Sequence, residues 1–162
     1  MSLLLNIDTA LETGSVCLAH SATVIGSSVN HHQLDHAAWL HPSIHELLQT
    51  NNLEAGQLDA IAVTIGPGSY TGLRIGLSAA KGLCYALRKP LITVSTLEVL
   101  ASLVVDEAAQ LICPVIDARR MEIFTALYDK DLQLISKPGA MVLQQDSFSN
   151  ILANQQVLFC GN

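Results

Sequence analysis

Residues 66–83 read Gly66-Pro67-Gly68-Ser69-Tyr70-Thr71-Gly72-Leu73-Arg74-Ile75-Gly76-Leu77-Ser78-Ala79-Ala80-Lys81-Gly82-Leu83. No other stretch restricts the fold as much. It follows a mostly apolar run, residues 58–65, that suits a strand buried on both faces. It opens a helical pattern over residues 70–87. Glycines at such a junction permit positive φ and close backbone approach. Ser69 or Thr71 can cap the helix, leaving N–H groups of the first turn able to meet an anion. The candidate anion-binding loop is therefore Gly66, Gly68, Ser69, Thr71 and Gly72. It is not a P-loop, because Leu73-Arg74 follows Gly72 where Lys and Ser/Thr are required, and it departs from GxGxxG, because Thr71 stands where the third glycine belongs. A second property is spacing. Gly72, Gly76 and Ala80 recur every four residues and line one helical face, where small residues let another backbone come close. Packing on the protein's own sheet is the favoured use of that strip. Tyr70, Leu73, Leu77 and Tyr85 then face elsewhere, toward a partner.

The flanking pattern gives the order βββαβαβα. Strands are expected at residues 3–8, 15–19 and 23–30, a helix at 35–50, the strand at 58–65, the glycine helix, a strand at 90–94 and a helix at 97–105. Trp39, Leu40, Ile44, Leu47 and Leu48 form an apolar stripe on the first helix. Pro42 must either lie in the first turn of a later-starting helix or kink a longer one. After Gln110 the pattern restarts: strands at 111–117, 122–129 and 132–136, a helix at 146–154 and a strand at 156–160. The apolar run before Asp117 repeats the run before Asp8. This predicts two lobes, residues 1–108 and 109–162, the second an incomplete copy ending where the first reaches Gly66. The alternative is one α+β domain without a repeat.

Composition limits the function classes. Of 162 residues, 50% are hydrophobic and 14% charged, with 14 acids against 8 bases and a net charge of −6. That much apolar surface on a small chain implies either an exposed partner patch or an Ala/Leu-rich core. Aromatics are 4% and the bases do not cluster beyond the adjacent pairs Arg88-Lys89 and Arg119-Arg120, so neither a basic face nor a stacking platform for autonomous RNA binding is expected. Cys17, Cys84, Cys113 and Cys160 form no CxxC pair and read as small core hydrophobes. Met1-Ser2-Leu3 leads straight into a strand pattern, and no run suits a bilayer span. The expectation is a reduced, cytoplasmic protein.

Residues 66–83 closely resemble the signature of the TsaB (YeaZ) family, and more distantly that of its catalytic relatives, the TsaD proteins. Asn6-Ile7-Asp8-Thr9, His36 with Leu40-His41-Pro42, and Ile116-Asp117-Ala118-Arg119-Arg120-Met121-Glu122 followed by Tyr128 also fit. The match covers nearly the whole chain. The resemblance implies the α/β ASKHA fold (actin-like, ribonuclease H-like), in agreement with the repeat. It also implies a non-catalytic partner that binds and supports a TsaD-like protein in tRNA threonylcarbamoyladenosine modification. A TsaE-like ATPase is expected to join the assembly, tRNA to be reached only indirectly, and the chain alone to form a homodimer through its apolar patch. The interface is expected at Trp39, Leu40, Ile44, Tyr70, Leu73, Leu77 and Tyr85. TsaD proteins hold a metal through an HxxxH pair after the strand that follows the glycine helix. Here Thr96 and Leu100 occupy those places, and neither is a serviceable ligand. No catalytic residue and no metal site are expected.

Other candidates carry less. His31, His32, His36, His41 and His45 crowd together, but Pro42 stands where HExxH needs Glu, and no third ligand is set by spacing. Ala38 replaces the acid that the family places two residues after its first helix histidine. Asp8 and Asp117, at the ends of the first strand of each lobe, are possible weak nucleotide or metal contacts, or simply turn caps, and no cofactor beyond weak ATP and magnesium is expected. Arg119-Arg120 can grip a carboxylate or phosphate. Two other readings compete: an ATP-dependent phosphotransferase of the ASKHA class, and a glycoprotease-like peptidase, for which no nucleophile–base pair stands out.

Overall fold

The computed structural model describes residues 2–107 and 110–162, which form two compact units, Met1–Val94 and Ser95–Asn162. The first holds a five-stranded sheet ordered β3-β2-β1-β4-β5. Its strands are β1 (Leu3–Asp8), β2 (Gly14–His20), β3 (Thr23–Asn30), β4 (Ala60–Thr64) and β5 (Leu91–Val94). β1, β2 and β3 make an antiparallel meander, and β4 and β5 add in parallel on the other side of β1. Alternation decides the faces. Leu3, Leu5 and Ile7 point inward, with Leu5 opposite Leu18 and Ile7 opposite Val16. β4 is buried along its whole length, as its unbroken apolar run predicts.

Two helices cover that core. In α1 (His36–Thr50) the inward stripe is His36, Leu40, Ser43, Ile44, Leu47 and Leu48. The helix begins after a 3₁₀ turn, Gln33–Asp35, and runs through Pro42. Pro42 and Ala38 are both exposed, so the Ala38 carbonyl that loses its partner faces water. Leu40 is 0% exposed and Ile44 5% exposed, which corrects their expected place at a partner interface: both belong to the core. α2 (Tyr70–Leu87) is capped by Ser69, whose Oγ accepts from the Gly72 N–H at 3.2 Å, and closes at Arg88 in the left-handed conformation.

The second unit repeats the topology. β6 (Leu111–Arg119), β7 (Glu122–Asp129), β8 (Leu134–Val142) and β9 (Val157–Gly161) form a sheet ordered β8-β7-β6-β9. Its meander is antiparallel and β9 lies parallel to β6, as β4 lies against β1. The expected boundary between residues 108 and 109 lies outside the described residues. The compact units part instead at Val94 and Ser95, so α3 (Thr96–Ser102) joins the second unit. The cause is burial: Leu97 and Ala101 are fully enclosed, and the Cys160 thiol donates to the Leu100 carbonyl at 3.6 Å.

Two expected elements differ. β8 continues past residue 136 through Pro138, which an edge strand tolerates because its outer N–H positions need no partner. The helix expected at 146–154 shrinks to α4 (Ser149–Leu152). The Ser147 hydroxyl accepts from the Gln144 N–H at 2.7 Å and the Ser149 hydroxyl donates to the Asp146 carbonyl at 2.8 Å. Such side-chain bonds offer the backbone an alternative to the helix. Phe148 meets Phe159 edge-on at 5.0 Å and packs with Ile151 on Leu111, Cys113 and Leu127.

The glycines of α2 are separable by what surrounds them. A methyl at Gly76 would strike Thr9 Oγ1 and press on Ile7 and Val63, whereas at Gly82 nothing lies within 4 Å. Gly76→Ala is expected to lower stability by about 1–3 kcal/mol through overpacking, and Gly82→Ala to raise it by about 0.5–1 kcal/mol through helix propensity. Urea titration of the two variants against the parent checks both signs.

Candidate functional site

The glycine segment closes onto the loop that follows β1. Ser69 N–H donates to the Ala10 carbonyl at 2.7 Å, and Thr9 Oγ1–H donates to the Gly72 carbonyl at 2.7 Å in a buried setting. Gly66 and Gly68 have φ of 110° and 157°. A side chain at Gly68 would run into the Ala10 carbonyl, and one at Gly72 into that of Thr9. Two of the N–H groups that an anion would use, Ser69 and Gly72, are thus turned onto the protein itself. Thr71 is exposed and Ser69 alone provides the cap. Gly72, Gly76 and Ala80 are buried in the first unit, the internal use that their spacing favoured.

Asp8 is held in the same unit. Its Oδ1 accepts from Ala10 N–H at 2.9 Å and from the Thr64 hydroxyl at 2.7 Å. Asp117, in the second unit, accepts from Arg119 N–H at 2.7 Å. Both carboxylates therefore shape the turn two residues on, the capping role open to them from sequence.

On the outer face of α2, Tyr70 is 74% and Tyr85 87% exposed. The Arg74 guanidinium lies over the Tyr70 ring, 5.4 Å from its centroid. Trp39, Leu73 and Leu77 are half-buried, with Trp39 and Leu77 packed on the core.

The histidine cluster separates. His31, His32, His41 and His45 are exposed. Glu12, His31, His32 and Asp35 line an open hollow of about 400 Å³, and among the described residues no three His, Cys, Asp or Glu side chains gather to hold a metal ion. His36 is different. It is wholly buried, its Nδ1 accepts from Asn30 Nδ2 at 3.1 Å, and its Nε2–H donates to the Leu11 carbonyl at 3.4 Å. The Asn30 amide also brackets His32, donating to its carbonyl and accepting from its N–H at 3.0 Å. A Cβ at Gly14 would lie 2.8 Å from the His36 ring. This clamp ties α1 to the ends of β2 and β3. Sequence reasoning missed it, although the four-residue step from His36 to Leu40 placed the ring on the buried face.

At the place where TsaD proteins would carry HxxxH, Thr96 is 1% exposed and its hydroxyl has no hydrogen-bond partner among the described residues, while Leu100 is half-buried. A lone hydroxyl beside an aliphatic side chain is not a donor set for a catalytic metal. The cysteines offer no activated nucleophile either. Burial pushes the thiols of Cys17, Cys84, Cys113 and Cys160 up, away from the thiolate form.

Comparison with known proteins decides the family. The chain is 35% identical over 162 residues to the tRNA threonylcarbamoyladenosine biosynthesis protein TsaB of Bacillus subtilis, covering 98% of this chain and 70% of that one. It belongs to the TsaB (YeaZ) family. The TsaB of Escherichia coli is 36% identical over 132 residues, with 79% of this chain and 55% of that one covered, so the chain spans about half the length of that relative. YeaZ from Pseudomonas aeruginosa superposes with a TM-score of 0.81 at 26% identity, over 100% of this chain and 84% of that one. Residues 24–156 match the family model described as TsaD: tRNA N6-adenosine threonylcarbamoyltransferase. The resemblance drawn from residues 66–83 and the ASKHA-type fold are both borne out. Among the described residues no helix is long and apolar enough to cross a membrane.

The unpartnered Thr96 hydroxyl yields a direct test. Thr96→Val keeps the shape and removes a buried group left without a hydrogen bond, so stability is expected to rise by about 1 kcal/mol. A thermal midpoint at or below that of the parent would show that the hydroxyl makes a bond that matters.

Proposed function

We propose that the chain is a non-catalytic subunit that binds and supports a TsaD-type threonylcarbamoyltransferase in tRNA threonylcarbamoyladenosine synthesis. The observation that carries this reading is the chemistry at Thr96 and Leu100: a chain matching the TsaD family model over residues 24–156 has no ligand pair at the position equivalent to the HxxxH of the enzymes. A protein of this family without that pair acts through its surface. The outer face of α2, with Tyr70, Arg74 and Tyr85, suits this role, since exposed tyrosine and arginine are enriched where proteins meet. Leu73 and Leu77 of the same helix and Trp39 of α1 are half-buried. The same face joins two copies when the chain is alone, and a TsaE-like ATPase completes the assembly. With a net charge of −6, tRNA is approached through the partner rather than directly.

Asp8 and Asp117 each serve a turn of their own unit, and tight nucleotide binding forms no part of the proposed role. Calorimetry with ATP and magnesium is expected to give no strong isotherm; a clear one would favour the phosphotransferase reading.

Light scattering of the chain mixed with a cognate TsaD-type protein is expected to report a heteromer at micromolar concentration. Tyr85→Glu, a change on an 87% exposed side chain, should leave the thermal midpoint unchanged and weaken that heteromer at least tenfold. Failure of the unaltered chain to form any heteromer would reject the proposal.

A further inference from the structure

The tip of the β6–β7 hairpin breaks a local rule of backbone chemistry. Arg119 and Glu122 pair across the hairpin, leaving Arg120 and Met121 as a two-residue turn. Arg119, Arg120 and Met121 have φ of 68°, 55° and 62°. Positive φ at both central positions is the type I′ arrangement, which Asn-Gly adopts most readily and which long side chains resist. The other two-residue turn of this kind, between β2 and β3, carries the small residues Ser21 and Ala22 at φ of 50° and 68°. At the β6–β7 tip the strained positions instead hold two arginines and a methionine.

These side chains do nothing visible for the fold. Arg119, Arg120 and Met121 are exposed, Met121 at 68%. The hydrogen bonds of the tip are made by backbone: Arg119 N–H donates to Asp117 Oδ1 and the Met121 carbonyl accepts from Leu143 N–H, each at 2.7 Å, and among the described residues no carboxylate pairs with either guanidinium. The chain has 8 bases and a net charge of −6, and two of those bases stand side by side here, exposed, with Asp117 and Glu122 flanking them. Residues held in sparsely populated φ/ψ regions cluster at functional sites.

We propose that this tip is a docking element for an acidic surface of a partner protein, its guanidiniums taking carboxylates and Met121 supplying the apolar contact. Arginine binds carboxylates and phosphates alike through its fork of donors. Composition favours protein over nucleic acid: methionine beside arginine is an interface composition, whereas base stacking would call for an aromatic side chain.

The inference rests on the partner reading above, and the test separates the two. Affinity for a cognate TsaD-type subunit is measured by calorimetry for the parent chain, for Arg119→Glu/Arg120→Glu, and for Arg120→Asn/Met121→Gly. Charge reversal is expected to weaken binding at least tenfold and to flatten its salt dependence. The Asn-Gly variant is expected to raise the thermal midpoint while weakening binding several-fold, a combination that a merely structural turn would not produce. A parent that binds, with an Asn-Gly variant that binds equally well, overturns this inference and leaves the partner reading intact. A parent that does not bind overturns both. Charge reversal that leaves protein affinity unchanged but abolishes retention of the cognate tRNA would assign the tip to RNA and overturn the protein-docking claim.

Discussion

The first unit depends on how closely α2 approaches the end of β1. The Thr9 hydroxyl donates to the Gly72 carbonyl, Ser69 N–H reaches Ala10, and there is no space for a Cβ at Gly68, Gly72 or Gly76. Backbone therefore meets backbone, and the contact can form only where the helix is bare. The rest follows from it. α2 lies low over β4 and β1, Ala79 and Ala80 seal the core, and the face bearing Tyr70, Arg74 and Tyr85 is carried outward.

The same logic explains why a glycine-rich turn before a helix is here a packing device. Phosphate-binding loops use free N–H groups at a helix start. In this chain Ser69 and Gly72 direct theirs to Ala10 and to the Ser69 hydroxyl. The geometry that resembles an anion cradle in sequence is turned inward by its proximity to residues 9 and 10.

The two units reuse one plan with different ends. The sheet orders β3-β2-β1-β4 and β8-β7-β6-β9 correspond, and Asp8 and Asp117 each accept the N–H two residues further on. In the first unit the turn after the aspartate is covered by the glycine segment. In the second it becomes the tight Arg120-Met121 hairpin, whose side chains stay exposed. A shared scaffold thus presents two unlike surfaces in a member of the TsaB family.

Much of this was written in local pattern. The short apolar run that ends at Asp8, the unbroken apolar run before Gly66 and the four-residue spacing of Gly72, Gly76 and Ala80 marked the strands, the glycine helix and its buried face, because each depends only on local pattern and on the side-chain periods of strand and helix. The absence of histidine at residues 96 and 100 was legible in the same way. Tertiary structure alone decided the rest. Leu40 and Ile44 read as part of a stripe for a partner to cover, yet they bury in the core of their own unit. α3 reads as the end of the first lobe, but Leu97 and Ala101 bury in the second unit. The Asn30–His36 clamp and the shortening of α4 arise from hydrogen bonds whose outcome depends on where neighbouring strands and turns place their donors and acceptors. Periodicity sets which face of an element is apolar; only the assembled chain sets what lies against it.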